Sequence, residues 1–187
     1  MLHIVYGGSA SGKSSYAESF AMSLQGEGRL LYIATMYPYK WNTTEIDPET
    51  MQRIERHRAM RADKGFDTVE CYRHVEHIVA KRQDVLLLEC MSNLLANEMY
   101  LEPDSDDGGL AETMSEVEKA GVGMSETLSP VSKKIVQALI DLSTRVQDVV
   151  IVTNDVFSDG GSLTYDESTR EYVKNLAEIN CALARVA

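Results

Sequence analysis

One run near the start of the chain constrains the fold more than any other feature. Residues 7–14 read Gly-Gly-Ser-Ala-Ser-Gly-Lys-Ser and satisfy the pattern GxxxxGK[ST] in full. An apolar stretch at residues 2–6 precedes this run, and a helical pattern at 13–25 follows it. Glycines let backbone amides wrap around phosphate oxygens, and the start of the new helix contributes its positive dipole end. The run therefore predicts a phosphate-binding loop, or P-loop, formed by Gly7, Gly8, Ser9, Ala10, Ser11, Gly12, Lys13 and Ser14.

This loop predicts binding of a nucleoside triphosphate. In such a site the Lys13 ammonium reaches the β- and γ-phosphates, and the Ser14 hydroxyl binds Mg²⁺. The alternative is a glycine-rich turn between a strand and a helix with an incidental lysine. The full motif, placed between a strand and a helix, favours the nucleotide site over that alternative.

The rest of the chain alternates apolar runs with helical patterns, which is typical of an α/β protein with a mainly parallel sheet. Residues 85–88 and 149–152 are apolar throughout, as expected for strands that are covered on both faces. Together with the P-loop, this pattern predicts a P-loop NTPase-like three-layer fold in a single domain of 187 residues. The predicted strands are 2–6, 30–35, 68–72, 85–90 and 149–153, and the predicted helices are 13–25, 48–61, 75–82, 91–100, 131–145 and 166–185.

Composition excludes several other classes of protein. The formal charge of -11 argues against general binding to nucleic acids or anionic membranes, because the summed field repels polyanions. Residues 102–129 carry eight acidic side chains against one lysine and predict a solvated loop, with a lid over the active site as the less supported alternative. No run approaches the roughly 20 apolar residues of a membrane span, and no signal peptide is evident. Three well-separated cysteines favour a reducing, cytoplasmic location.

Glu89 ends the apolar run at 85–88 and is the predicted second ligand of the metal, either directly or through water. The alternative is a polar strand end that caps a neighbouring helix. Asp155 ends the other apolar run, but the sequence Thr-Asn-Asp-Val at 153–156 does not match the NKxD motif that reads guanine in regulatory GTPases. This mismatch argues against a switch GTPase.

A histidine framed by arginines stands out in this acidic chain. Residues 53–61 contain four arginines, and Arg53, His57 and Arg61 are spaced to share one helix face. Guanidinium groups pair bidentately with phosphate oxygens, and a neutral imidazole nitrogen can attack phosphorus. This pattern predicts a second phosphate-handling element with His57 as the nucleophile. A solvated basic helix face explains the pattern equally well.

Taken in order, these motifs resemble the bifunctional adenosylcobinamide kinase / adenosylcobinamide-phosphate guanylyltransferase family of cobalamin biosynthesis. The similarity runs from the P-loop through Tyr-Ile-Ala-Thr at 32–35, Arg-Ile-Glu-Arg-His-Arg at 53–58, Val-Glu-Cys at 69–71 and Leu-Leu-Glu-Cys at 87–90 to Val-Thr-Asn-Asp-Val at 152–156. It covers most of the chain, and the ordered set is far more specific than any single motif.

The resemblance implies two uses of nucleotide. ATP or GTP would phosphorylate the aminopropanol hydroxyl of adenosylcobinamide at the P-loop. His57 would attack the α-phosphate of GTP, form a guanylyl-histidine, and pass GMP to the phosphorylated corrinoid. The family's assembly implies a homotrimer with sites between subunits. The positions that match the family's GTP-binding segments are Ala34, Thr35, Met36, Arg58, Ala59, Met60, Arg61, Glu70 and Glu89.

The sequence departs from the family pattern toward its C-terminus. After Asn154 the family has a Glu-Val-Gly-x-Gly-like turn, whereas residues 155–161 here read Asp-Val-Phe-Ser-Asp-Gly-Gly. In the last helix only Asn180 is kept from the family's polar set, and the family's further apolar strand has no counterpart before residue 187. These departures leave the acceptor open. They keep two alternatives: a P-loop kinase for another small alcohol, and a catalytically weakened paralogue that binds nucleotide and serves as an assembly or regulatory subunit.

Overall fold

The computed structural model describes residues 1–102, 128–156 and 165–187. Most of the acidic segment at 102–129, and most of the diverged turn after Asn154, therefore lie outside the described residues. The strands are β1 (Leu2–Gly7), β2 (Leu30–Ala34), β3 (Phe66–Glu70), β4 (Val85–Glu89) and β5 (Asp148–Asn154). The helices are α1 (Lys13–Leu24), α2 (Pro48–Arg61), α3 (Met91–Tyr100), α4 (Pro130–Arg145) and α5 (Glu167–Leu183).

All five strands form one parallel sheet in the order β1-β5-β4-β2-β3. Parallel strands in a row require crossover connections. Helices supply them everywhere except between β3 and β4, where the connection contains only one 3₁₀ turn. Because the strands are parallel, their carboxyl ends meet at one edge of the sheet. Gly7, Ala34, Glu70, Glu89 and Asn154 end the five strands there, so the loops that follow them are brought together.

Helices cover both faces of the sheet, which confirms the expected α/β class. On one face, Ala17 and Ala21 of α1 pack against Leu87 and Val150 of the central strands. On the other face, the apolar sides of α3, α4 and α5 pack against alternate residues of the same strands, such as Leu86. Successive side chains of a strand point to opposite faces, so strands that are apolar throughout serve both cores. The three-layer arrangement follows from this pattern.

The predicted helix at 75–82 is wrong. Only Val75–His77 form a single 3₁₀ turn, and the chain is extended at Ile78. The Asp84 carboxylate accepts a hydrogen bond from the Lys81 amide at 2.8 Å, and the Asp84 amide donates to the Lys81 carbonyl at 3.0 Å. These bonds favour a turn over a continued helix, since a side-chain acceptor competes for the backbone donor. Strand β3 also begins and ends two residues earlier than predicted, and β2 and β4 each end one residue earlier.

No helix of the described residues is long and apolar enough to cross a membrane.

Candidate active site

The P-loop forms a tight turn between β1 and α1. Gly12 precedes α1 with a φ of 82°, in the left-handed region that glycine adopts without a steric cost. A Cβ at Gly7 would lie 2.9 Å from the Ser11 Oγ, so a side chain there would force the Ser11 hydroxyl to move. Lys13 Nζ donates to the Gly8 carbonyl at 3.0 Å and thus lies across the loop. With Gly12 at the N-cap, no side chain caps α1, and the amides of its first turn are available to phosphate oxygens.

A cavity of about 430 Å³ opens beside this loop at the carboxyl edge of the sheet. The P-loop, the end of β2, one face of α2 and the end of β4 form its walls. Eleven of the predicted site residues line it: Ser9, Ala10, Lys13, Ser14, Ala34, Thr35, Met36, His57, Arg58, Arg61 and Glu89. The structure therefore brings the P-loop and the arginine-framed histidine into one site.

The other predicted site residues do not line this cavity. Four of them form the P-loop backbone behind the cavity: Gly7, Gly8, Ser11 and Gly12. Ala59 and Met60 lie on the outer side of α2, where Met60 is 58% exposed. Glu70, at the end of the outer strand β3, forms an ion pair with Arg58 outside the cavity.

Helix α2 presents one basic face to the cavity. Arg53, His57 and Arg61 all line it, as their spacing predicts, and His57 is half-buried. Arg61 is the one residue of α2 that is fully buried. The helix is thus positioned mainly by polar contacts at its C-terminal end. Besides the Arg58–Glu70 pair, Lys64 just beyond the helix forms an ion pair with the buried Glu18 of α1.

Arg61 is a buried cation that lacks a full set of partners. Its side chain is 6% exposed, and its guanidinium carbon lies 3.4 Å from the centroid of the Tyr32 ring. Arg61 Nε and Nη1 have no hydrogen-bond partner among the described residues. Buried donors without partners are costly, and an anion is the partner that a guanidinium binds best. The cavity therefore holds a positively charged group suited to phosphate.

Glu89 is held by the same tyrosine. The Tyr32 hydroxyl donates a hydrogen bond to the Glu89 carboxylate. Burial raises the pKa of Tyr32, and the nearby Glu89 charge raises it further, so the hydroxyl keeps its proton and remains a donor. Tyr32 thereby contacts both a carboxylate and a guanidinium that line the cavity beside the P-loop.

The comparisons with known proteins agree with this geometry. The family model described as cobinamide kinase / cobinamide phosphate guanyltransferase, or CobU, matches residues 3–187. The chain belongs to this family. The bifunctional adenosylcobalamin biosynthesis protein CobU of Escherichia coli K12 is 32% identical over 103 residues, and that of Salmonella typhimurium LT2 is 33% identical over 104 residues. Each match covers 54% of this chain and 51% of the relative, so the chain spans about half the length of the relatives it matches.

The family match confirms the resemblance inferred from the motifs. In this CobU-family chain, eight further residues line the cavity beside those eleven. Arg53, Ile54 and Arg56 belong to α2, and the others are Tyr32, Cys90, Asn93, Val152 and Asn154. Asn154 donates to Cys90 Sγ at 3.2 Å and to Ser92 Oγ at 3.0 Å, and it thereby ties β5 to the start of α3. The sequence could have indicated Asn154 as a site residue by its position at the end of a buried parallel strand, because that edge of an α/β sheet carries the ligand site.

The donors present fit Mg²⁺. A hydroxyl from Ser14 and a carboxylate from Glu89 line the same cavity, and both are the oxygen ligands that this ion prefers. No cluster of three or more His, Cys, Asp or Glu side chains suited to a metal occurs within residues 1–102, 128–156 and 165–187. An ion held between one or two protein oxygens and substrate phosphates needs no such cluster.

Proposed function

We propose that this protein phosphorylates the hydroxyl arm of adenosylcobinamide and then transfers GMP from GTP to the resulting phosphate through a guanylyl-His57 intermediate. The proposal is carried by one observation: Lys13 of the P-loop and His57 of α2 line the same cavity of about 430 Å³. A plain kinase uses a P-loop and has no need of a histidine framed by arginines. The family descriptions, which name both a kinase and a guanyltransferase, support the same assignment.

In the kinase step, the acceptor hydroxyl oxygen attacks the γ-phosphorus of ATP or GTP. A new oxygen–phosphorus bond forms, the bond to the β-phosphate oxygen breaks, and the nucleoside diphosphate leaves while the hydroxyl proton passes to solvent. Lys13 neutralises charge that develops on the β- and γ-oxygens, and the loop amides orient them. Ser14 and Glu89 would hold Mg²⁺, which neutralises phosphate charge when it is bound.

In the transfer step, a ring nitrogen of His57 attacks the α-phosphorus of GTP and pyrophosphate leaves. The phosphate oxygen of the acceptor then attacks the same phosphorus, the phosphorus–nitrogen bond breaks, and the imidazole recovers its electron pair. Arg53 and Arg61 lie one helical turn to either side of His57, where they can bind the α-phosphate oxygens in both halves of the step.

The guanylyl-histidine is tested by incubating the protein with α-³²P-GTP and Mg²⁺. We expect acid-labile, base-stable label on the protein that is absent from His57→Ala. His77→Ala is the matched control, because His77 does not line the nucleotide cavity, and it should be labelled like wild type. A folded wild type that takes no label, or a His57→Ala protein that takes it fully, would refute the transferase half.

The kinase half is tested by ATP-dependent phosphorylation of adenosylcobinamide. Lys13→Ala should abolish it, whereas Lys133→Ala, on the exposed side of α4, should leave the rate unchanged. Equal rates in Lys13→Ala and wild type would contradict the role of the P-loop. We further propose a homotrimer, by analogy with the family, which light scattering after gel filtration would measure.

A further inference from the structure

A second cavity, larger than the one at the P-loop, lies beside the nucleotide site rather than within it. It has a volume of about 1090 Å³ and opens past the carboxyl end of the outer strand β3. Its walls are formed by Tyr37 and by residues 42–44, 69–74, 77–79 and 101–102, the last two directly after α3. Ligand cavities commonly measure about 300–1,000 Å³, so this space suits a larger ligand than the cavity at the P-loop does.

A third cavity of about 200 Å³ connects the two through shared lining residues. Met36, Ile54 and Arg58 line both this connecting cavity and the nucleotide cavity, while Glu70 and Tyr72 line both it and the large cavity. The three spaces follow one edge of the sheet from β4 to β3. Neighbouring strands lie about 4.8 Å apart, so the ends of these two strands are roughly 10 Å from each other.

The chemistry of the large cavity differs from that of the nucleotide site. Tyr37 and Tyr72 meet edge to face with their ring centroids 5.4 Å apart, and Asn42, Thr43 and Thr44 add neutral hydrogen-bonding groups. Its arginine is already engaged: Arg73 Nη1 donates to the Glu102 carbonyl at 3.0 Å. The carboxylates of Glu70 and Glu102 also line the cavity and disfavour a second polyphosphate. Aromatic faces beside uncharged polar groups suit a broad ring system that carries amide side chains.

The wall of this cavity is held in place before any ligand binds. The buried Asn97 side chain donates to the Thr35 carbonyl at 2.8 Å and to the Tyr72 carbonyl at 2.9 Å. The Glu102 amide donates to Asn42 Oδ1 at 3.0 Å, which fixes the loop before α2 to the end of α3. A preformed wall costs little ordering entropy when a ligand binds.

We infer that the large cavity binds the macrocycle of the corrinoid acceptor, with the hydroxyl arm directed through the connecting cavity, past Met36 and Arg58, toward the nucleotide. This inference rests on the proposed function, because it assigns a place to that acceptor. It accounts for a bulky substrate that the cavity of about 430 Å³ at the P-loop does not accommodate together with a nucleotide.

The test uses a substitution that fills the cavity without disturbing the fold. Val79 lies on the rim and is 88% exposed, so Val79→Arg adds a long charged side chain at little cost in stability. Thr44→Arg does the same from the opposite wall. Val186→Arg is the matched control, since Val186 is 44% exposed and does not line the cavity. Binding of adenosylcobinamide by calorimetry and α-³²P-GTP labelling of His57 are measured on each protein.

We expect both cavity variants to weaken corrinoid binding at least about tenfold through steric and charge conflict, with labelling of His57 unchanged. Val186→Arg should match wild type in both assays. If wild type binds corrinoid and both variants bind it equally well, the cavity assignment is wrong. If the cavity variants lose both the labelling of His57 and the binding of corrinoid, the assignment is also overturned, because the two sites would not be separable. Wild type that takes label but binds no corrinoid would instead refute the proposed acceptor.

Discussion

Replacing Arg61 by methionine should raise the stability of the nucleotide-free protein while weakening nucleotide binding. Methionine keeps most of the apolar volume of the arginine stem and removes the charge. The change removes Nε and Nη1 of Arg61, two donors that have no partner among the described residues, and it also removes the contact with the Tyr32 ring. Each buried donor without a partner costs about 1–3 kcal/mol. A cation over an aromatic ring returns about 0.5–2 kcal/mol.

The balance favours the methionine variant by about 1 kcal/mol or more in the free protein. For a chain of this size, that corresponds to a melting temperature about 2–4 °C higher per kcal/mol. With nucleotide bound, the substitution is expected to be unfavourable instead, because the charged donors of Arg61 would then have a partner. A hydrogen bond to a charged group contributes about 1.5–3 kcal/mol, so affinity for GTP should fall roughly 10- to 100-fold.

Differential scanning calorimetry without nucleotide and titration calorimetry with GTP measure the two effects. Arg29→Met is the matched control, because Arg29 Nη2 binds the buried Asp84 carboxylate at 2.6 Å just before β2, at the edge of the sheet opposite the P-loop. This variant should melt lower and bind GTP normally. If Arg61→Met melts lower than wild type and binds GTP as tightly, Arg61 is a structural residue and the reasoning fails.

Three further predictions concern groups away from the nucleotide. Burial opposes the charge of Asp84, but hydrogen bonds from Arg29 and from backbone amides outweigh it and lower the Asp84 pKa. Wild type should therefore be more stable than Asp84→Asn above about pH 4 and lose that advantage as the pH falls through the lowered pKa. Urea unfolding of both proteins at neutral pH and at acidic pH below that pKa checks this. Asn97→Ala removes two buried hydrogen bonds and should cost about 1–3 kcal/mol in urea unfolding, and a cost near zero would contradict its bridging role. Burial and two nearby carboxylates raise the pKa of Cys71 to about 11, so iodoacetamide at neutral pH should label exposed Cys181 well before Cys71 in peptide mass spectra, and equal labelling would refute this.

The parts of the site that depend on local backbone geometry could be predicted from the sequence. The P-loop is a contiguous motif whose glycines determine its own turn, so residues 7–14 were sufficient. The shared face of Arg53, His57 and Arg61 follows from helix spacing alone. The buried strands that end at Glu89 and Asn154 could be predicted from their apolar runs, because both faces of a parallel sheet are covered.

The parts of the site that depend on contacts between distant segments could not be predicted from the sequence. Tyr32 lies in β2, Glu89 in β4 and Arg61 at the end of α2, and no spacing in the sequence indicates that one ring contacts both charged groups. Glu70 matches the family's nucleotide-binding positions, but β3 is the outer strand, and its end lies beyond the nucleotide cavity. The wrong helix at 75–82 has a similar cause, since Asp84, which forms the turn, is itself held by Arg29 of another segment.

The charge distribution explains how a strongly acidic chain can select a nucleotide. The formal charge of -11 repels extended polyanions, whose many phosphates would meet the whole surface. At the cavity beside the P-loop, the local field is reversed by Lys13 and by four arginines of one helix. Because these positive charges are confined to a small concave site, they attract only a ligand that is short enough to lie inside it. A free triphosphate should therefore bind where a nucleic acid does not, and raising the salt concentration should weaken GTP binding more in wild type than in Arg61→Met, because one fewer cation remains to be screened.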